Sequence, residues 1–382
     1  MKDSFIFYFK CSLLSLIDLI LRHIPVKTTA QYDVAIIRTD GIGDFVMWAG
    51  AIPAYKKKYE GKRILFVYPD SYTSLVNRLH CFNNTITINK KGIEDNFWVH
   101  LKTMWRFRHI EADIVINPTR YRIYPSDLLA GMMKAKERIG VNINKQSTYF
   151  KVVSKFYNVL IDVPSELKNE MLTTEFITRY ITDSNYTHKI ADFRPYFNEN
   201  DNDIPSPYCV IALSTSAEYK IWDIYKVCEL IQFIPKQYKI VLTGYGKKDE
   251  ERAAIIEHNS PDHKVFNKVG KTSILDLVNI TSQAAFVLGN DSSTVHIAAC
   301  CRVPSICYMS GGTYDEFLPY ADIIADKEFH PRTVVFKMDC FGCFYKCVHE
   351  QLGDKPCPCL RNVSVDMVKK ELDALLVEID KN

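Results

Sequence analysis

The sequence predicts an α/β protein built from two successive doubly wound units. Short runs of Val, Ile and Leu, the mark of strands buried on both faces, alternate with helical stretches. The alternation stops at a stretch rich in Pro, Asn and Asp, from Arg194 to Pro207, and then starts again. The length of 382 residues corresponds to roughly two to three domains of about 150 residues. We therefore expect two Rossmann-like domains over residues 31–195 and 208–382, facing a central cleft, preceded by a helix within residues 1–30.

That helix spans Phe5 to Ile24, a segment rich in Phe, Leu and Ile. Lys10, Asp18 and Arg22 interrupt it, so it lacks the ~20 apolar residues that a membrane span requires. No small-residue cleavage site follows it directly. On a helical wheel Lys10, Cys11, Ser15, Asp18 and Arg22 share one sector of roughly 140°, and the remainder is apolar. This profile suits a helix lying in a membrane interface; a helix packed on its own domain or on a partner subunit shows the same profile. Lys56-Lys57-Lys58 and Arg106, Arg108, Arg120 and Arg122 add basic residues to the same N-terminal part.

Asp33 to Arg38 reads as the first buried strand, Gly41 and Gly43 as a turn, and the chain then runs as a helix to about Tyr59. Ile64–Tyr68 and Ala112–Asn117 are the next strands. After the linker, Tyr208–Leu213, Lys239–Thr243, Ala285–Gly289 and Ser305–Tyr308 repeat the pattern. Strands separated by helices imply a parallel sheet with right-handed crossovers. Ligands of such sheets bind outside the carboxyl ends of the strands.

Composition narrows the function classes. Hydrophobic residues make up 47% and charged residues 24%, which is globular and excludes a disordered or low-complexity chain. The net charge of +3, from 48 basic and 45 acidic residues, gives no overall pull toward nucleic acid. Five of the twelve cysteines fall between Cys340 and Cys359 and the others are scattered. A disulfide scaffold would spread them through a small fold, so a reducing, cytoplasmic compartment is expected.

Three turns carry candidate chemistry. In Arg38-Thr-Asp-Gly-Ile-Gly-Asp44, the glycines let backbone N–H groups approach a ligand, with Gly43 nearest the helix. Val46 stands where a dinucleotide fingerprint would need its third glycine. Asp44 sits in the first helical turn, where a carboxylate caps the helix or acts as a general base; spacing alone favours neither. In Ser214-Thr-Ser-Ala-Glu-Tyr-Lys220, Thr215 and Ser216 can donate to a diphosphate and Lys220 can neutralise it, although a surface loop has the same composition. In Gly289-Asn-Asp-Ser-Ser-Thr-Val-His296, a helix begins near Ser292, and its free N–H groups suit an anion. Asp291 is there a ligand or an N-cap, and His296 a ligand neighbour or a core histidine.

Together these stretches resemble glycosyltransferase family 9, whose best-known members are the lipopolysaccharide heptosyltransferases. The first matches the family's Arg-x-x-x-Ile-Gly-Asp pattern with a proline downstream, here Pro53. The second resembles its Thr-Thr…Lys-x-Trp segment, ending at Trp222, and the third its Asn-Asp-Ser-Gly…His element. Gly270-Lys-Thr272, Val303-Pro304 and Gly312-Thr313 also match, so the likeness covers about residues 33–375. Ser293 departs from the family's usual glycine, and Ala217 and Tyr219 replace residues charged in the better-known heptosyltransferases.

The resemblance implies a GT-B architecture and inverting transfer of a sugar from a nucleotide donor, with no cofactor and no essential metal. Asp44 would be the base, and Thr215, Ser216 and Lys220 would hold the leaving diphosphate. Asp291, with Gly43, Ser292, Ser293, Thr294 and His296 beside it, would bind the donor. Asp249 or Glu250 would meet the nucleoside or begin an ordinary helix. The expected donor is ADP-heptose or another nucleotide sugar, and the acceptor a glycolipid of the lipopolysaccharide core at the cytoplasmic face of the inner membrane.

Cys340, Cys343, Cys347, Cys357 and Cys359 have metal-ligand spacing in a Pro- and Gly-containing loop. Free or redox-active thiols are the other reading of the cluster. A non-catalytic nucleotide-binding scaffold, or a regulator organised by these cysteines, are the alternatives to an enzyme.

Overall fold

The computed structural model describes residues 14, 17–143, 152–197 and 203–381. The chain divides into two compact units. One gathers residues up to Gly41, Ile52–Leu167 and Thr173–Tyr186; the other gathers Ile42–Ala51, Lys168–Leu172 and the chain from Thr187 onward.

The first unit holds strands β1 (Ala30–Ile37), β2 (Ile64–Pro69), β3 (Asn84–Ile88), β4 (Ile110–Asn117), β5 (Lys134–Val141) and β6 (Val159–Ile161). All are parallel, in the order β3-β2-β1-β4-β5-β6. Ile36 lies opposite Phe66 on one side of β1, and Ala35 opposite Val115 on the other. The second unit holds β7 (Tyr208–Ala212), β8 (Lys239–Thr243), β9 (Val265–Asn267), β10 (Phe286–Asn290), β11 (Ser305–Tyr308) and β12 (Arg332–Val334). Their order is β12-β11-β10-β7-β8-β9, again all parallel. Counted within each unit, both sheets are 3-2-1-4-5-6, with the reversal between β1 and β4 and between β7 and β10.

The α/β class read from the sequence is therefore the class the chain forms. Every residue of β7 and β10 is buried, as a sheet covered on both faces requires. Burying one Val, Leu or Ile side chain is worth about 1.5–3 kcal/mol, so these central strands anchor the second unit. The core there also takes in the final helix, Val365–Ile379, through Val368, Leu372 and Leu375.

The single helix expected after the first turn is instead two. Ile42–Trp48 is followed by a tight turn at Ala49–Ala51 and a second helix at Ile52–Lys58. Pro53 falls in the first turn of that second helix, where its missing N–H costs nothing. Gly50 marks the break: a Cβ there would stand 1.8 Å from the Lys189 carbonyl oxygen, so only glycine lets the two backbones pass so closely.

Residues 17–23 are helical. Asp18 is buried with its Oδ1 2.8 Å from His100 Nε2, and the Arg22 guanidinium lies 4.6 Å from the centre of the Phe156 ring. Leu19 and Ile20 remain 48% and 58% exposed. Where it is described, Asp18 and Arg22 thus dock on the first unit, Leu14 is buried and Leu21 packs on that unit's core, while Leu19 and Ile20 face outward; Lys10, Cys11 and Ser15 lie outside the described residues. Arg122, expected on a basic surface, is instead buried with its Nη1 donating to Asp127 Oδ1 at 2.7 Å, because an enclosed guanidinium requires a carboxylate beside it. No helix among the described residues is long and apolar enough to cross a membrane.

Candidate functional site

The second unit brings most of the singled-out residues to the carboxyl ends of β7 and β10, where its strand order reverses. β10 ends at Asn290, Ser292 caps the next helix, and Ser293–Cys300 is that helix. Ser292 makes no side-chain capping bond, and its buried hydroxyl has no partner. The N-cap is Ser292 rather than Asp291, which leaves the Asp291 carboxylate available for other contacts. A helix start with an unpartnered hydroxyl beside it has donors of the kind an anion can accept from.

After β7 the chain makes a short helical turn at Glu218–Lys220. Asn290 Oδ1 accepts the Trp222 N–H at 2.7 Å, tying this loop to the end of β10. Lys220 Nζ then stands 3.7 Å from Asp291 Oδ2, with the two side chains only 15% and 9% exposed. Burial works against the ammonium, but Tyr345 and Asp291 outweigh it and hold Lys220 above its ordinary pKa. Lys220 is therefore a fixed positive charge.

Thr215 folds back on its own loop, its hydroxyl donating to the Ala217 carbonyl at 2.7 Å and accepting the Ala217 N–H at 3.3 Å. Ser216 is exposed on the same loop. Asp249 is buried at the start of the helix Lys247–Asn259, where it accepts from Ser214 Oγ, from the Tyr245 N–H at 3.0 Å and from Arg252 Nη1 at 2.6 Å. Its carboxylate holds the loops after β7 and β8 together.

His296 is fully enclosed, stacked on Tyr320 with 5.7 Å between ring centres. Burial pushes its pKa down to about 4, with Asp291 opposing, so the ring is neutral near pH 7. The Tyr320 hydroxyl lies 2.7 Å from Nδ1 and burial keeps that hydroxyl protonated. That hydroxyl either donates to the neutral ring or accepts its Nδ1–H.

Asp44 occupies the first turn of Ile42–Trp48, a helix that clusters with the second unit. The approach is close: a Cβ on Gly43 would lie 3.6 Å from Ser293 Cα and 3.7 Å from His296 Cδ2. His188 Nε2 meets the Met47 carbonyl at 3.0 Å and anchors the other end. Asp44, Gly43, Ser292, Ser293 and His296 are thus gathered around two adjoining helix starts. Sequence reading missed Tyr320 and Tyr345, which reach the site from loops with no periodic pattern.

The five clustered cysteines line one small cavity with His349. Cys357 and Cys359 are buried with sulfurs 3.6 Å apart, too far for a bond of about 2.05 Å. The Cys357 thiol donates to Cys359, pulling the Cys359 pKa down to about 6 and driving its own up. Cys340 Sγ lies 3.5 Å from His349 Nε2. Among the described residues the cysteines are unbridged, and no three His, Cys, Asp or Glu side chains converge closely enough to hold a metal ion.

Residues 102–322 match the family described as glycosyltransferase family 9 (heptosyltransferase). The chain is 22% identical over 294 residues to lipopolysaccharide heptosyltransferase 3 of Escherichia coli, covering 73% of this chain and 84% of that protein. Among solved structures it resembles E. coli heptosyltransferase WaaC with ADP-2-deoxy-2-fluoro heptose, at a TM-score of 0.66 and 16% identity over 89% of this chain and 99% of that one. It also resembles E. coli ADP-heptose lps heptosyltransferase II, at 0.62 and 17% over 91% and 99%. The fold is accordingly GT-B, and the chain belongs to glycosyltransferase family 9 as a heptosyltransferase-like glycosyltransferase.

Proposed function

We propose that the protein transfers a heptose-type sugar, with inversion and without an essential metal, from a nucleotide-sugar donor such as ADP-heptose to a glycolipid of the lipopolysaccharide core. The observation that carries this reading is the buried Lys220–Asp291 pair beside a helix start that carries an orphan hydroxyl. Charge that develops on a leaving diphosphate needs preorganised donors and cations. Lys220 and the N–H groups of Ser292 to Thr294 supply them, with Thr215 and Ser216 on the neighbouring loop. Asp249 and its partners shape the rim expected to meet the nucleoside, and the neutral His296 ring faces the Gly43 turn.

In the proposed reaction the Asp44 carboxylate takes the acceptor hydroxyl's proton and the freed oxygen forms a bond to the sugar's anomeric carbon. The bond from that carbon to the phosphate oxygen breaks, and its electron pair leaves with the nucleoside diphosphate. Attack opposite the leaving group inverts the anomeric centre.

Placement at a cytoplasmic membrane surface is part of the proposal. The exposed Leu19 and Ile20 support it. So does a nearby cavity of about 510 Å³ in the first unit, lined by Arg22, His23, Arg108, Lys134 and Arg138 with no acidic residue.

The test is release of nucleoside diphosphate from a panel of nucleotide sugars that includes ADP-heptose and UDP-glucose, in the presence of rough lipopolysaccharide. Turnover fastest with ADP-heptose supports the reading. Preference for a hexose donor overturns the heptose assignment, and no release from any donor overturns the transfer itself.

A further inference from the structure

The cysteine-rich loop reaches into the donor site through one side chain, Tyr345. Its ring lies over Lys220, with Nζ 4.7 Å from the ring centre. Its hydroxyl is 3.2 Å from Ser310 Oγ and 3.3 Å from Thr313 Oγ1, and the Thr313 hydroxyl points on to Asp291 Oδ2 at 3.5 Å. Tyr345 therefore touches both members of the Lys220–Asp291 pair, one directly and one through a threonine.

The backbone is bent to deliver it. Phe344 and Tyr345 are consecutive non-glycine residues at φ 49° and 59°, a conformation that L side chains rarely adopt and that persists only where its surroundings impose it. The surroundings here are specific. The Gly342 and Phe344 N–H groups donate to the carbonyls of Gly311 and Gly312 at 2.8 and 2.9 Å. A Cβ on Gly312 would stand 2.6 Å from the Tyr345 ring, so the ring needs that glycine beneath it. The second half of the cysteine cluster grips the other side: the Cys357 N–H donates to the Tyr219 carbonyl at 3.0 Å, one residue before Lys220, and Cys359 Sγ accepts the Gly311 N–H at 3.3 Å.

We propose that Tyr345 is a positioning residue for Lys220, and that the cysteine-rich loop is the frame that holds it there. A cation held on an aromatic face keeps its charge while losing freedom of movement, so the ammonium is already placed when a diphosphate arrives. This rests on the role given to Lys220 above.

The experiment measures the affinity of ADP, UDP and GDP by calorimetry and takes the tightest binder through a double-mutant cycle. Lys220→Ala is expected to lower that affinity about 10-fold and Tyr345→Ala about 5-fold. In the Lys220→Ala background, Tyr345→Ala should cost less than about 2-fold, and Tyr345→Phe alone should stay within about 2-fold of the native protein. If no nucleotide binds, or Lys220→Ala binds as well as the native protein, the diphosphate reading itself fails. If Lys220→Ala weakens binding but Tyr345→Ala costs nothing, or costs the same in both backgrounds, the positioning role is overturned and the diphosphate reading stands. A Tyr345→Ala that had lost its fold would cost as much in both backgrounds, so the cycle separates positioning from misfolding, and a near-native Phe variant assigns the effect to the ring rather than the hydroxyl.

Discussion

Acidification should destabilise the protein through one enclosed imidazole. The folded His296 pKa is about 4, against about 6.5 for an unfolded histidine. A depressed histidine pKa means that the unfolded chain binds the proton first. Its contribution is intact above about pH 6.5, falls as pH drops toward 4, and is fully lost below that. The gap of about 2.5 units at 1.36 kcal/mol each sets a limit of about 3 kcal/mol, and at pH 5 the loss is about 2 kcal/mol. The assay is urea unfolding of native protein and His296→Gln at pH 7, 6 and 5, monitored by fluorescence of Trp222, which is buried in the same unit. Other groups titrate in both proteins, so the difference in slope isolates His296. A native protein that loses about 2 kcal/mol more than the variant between pH 7 and 5 fits the account. Equal losses in the two would show that the ring is already protonated or is open to water.

Asp44→Asn should abolish transfer and leave donor affinity within about 3-fold, because a base acts mainly in the transition state; near-native turnover would remove Asp44 from that role. Asp127→Ala should destabilise the first unit by about 3–5 kcal/mol, the cost of leaving an enclosed charge such as Arg122 unpaired, which urea unfolding would read. The double variant Arg122→Met/Asp127→Ala should recover part of that loss. Leu19→Ser/Ile20→Ser should reduce sedimentation with vesicles containing anionic phospholipid while leaving ADP affinity unchanged; undiminished sedimentation would count against the membrane placement.

Much of this architecture could be read from the chain because β1, β2, β4, β7, β8, β10 and β11 are apolar runs between turn residues. β5 escaped notice because its sequence, Lys-Ala-Lys-Glu-Arg-Ile-Gly-Val, carries four charges. It is nonetheless an interior strand, and Arg138 donates to the carbonyls of Ala130 and Met133 at the end of a helix. β3, β6, β9 and β12 are short or lie at sheet edges, where burial writes little into the sequence. The site divides in the same way. Asp44, Lys220 and Asp291 follow strands directly, so local pattern places them at strand ends. Tyr320 and Tyr345 arrive through irregular loops, and only tertiary contact joins them to His296 and Lys220. Nor does any local signal tell that Ile42–Ala51, which follows the first strand, clusters with the second unit.

The central claim is that Lys220 and a helix start, rather than a divalent ion, stabilise the leaving diphosphate. The direct measurement is the initial rate of sugar transfer from the preferred donor, for native protein and Lys220→Ala, each with EDTA and with added Mg²⁺. The account predicts a native rate indifferent to both additions and a fall of about 10²-fold or more in Lys220→Ala, the scale of losing one preorganised stabiliser. A native rate that collapses in EDTA and returns with Mg²⁺, or a Lys220→Ala rate close to native, would contradict it.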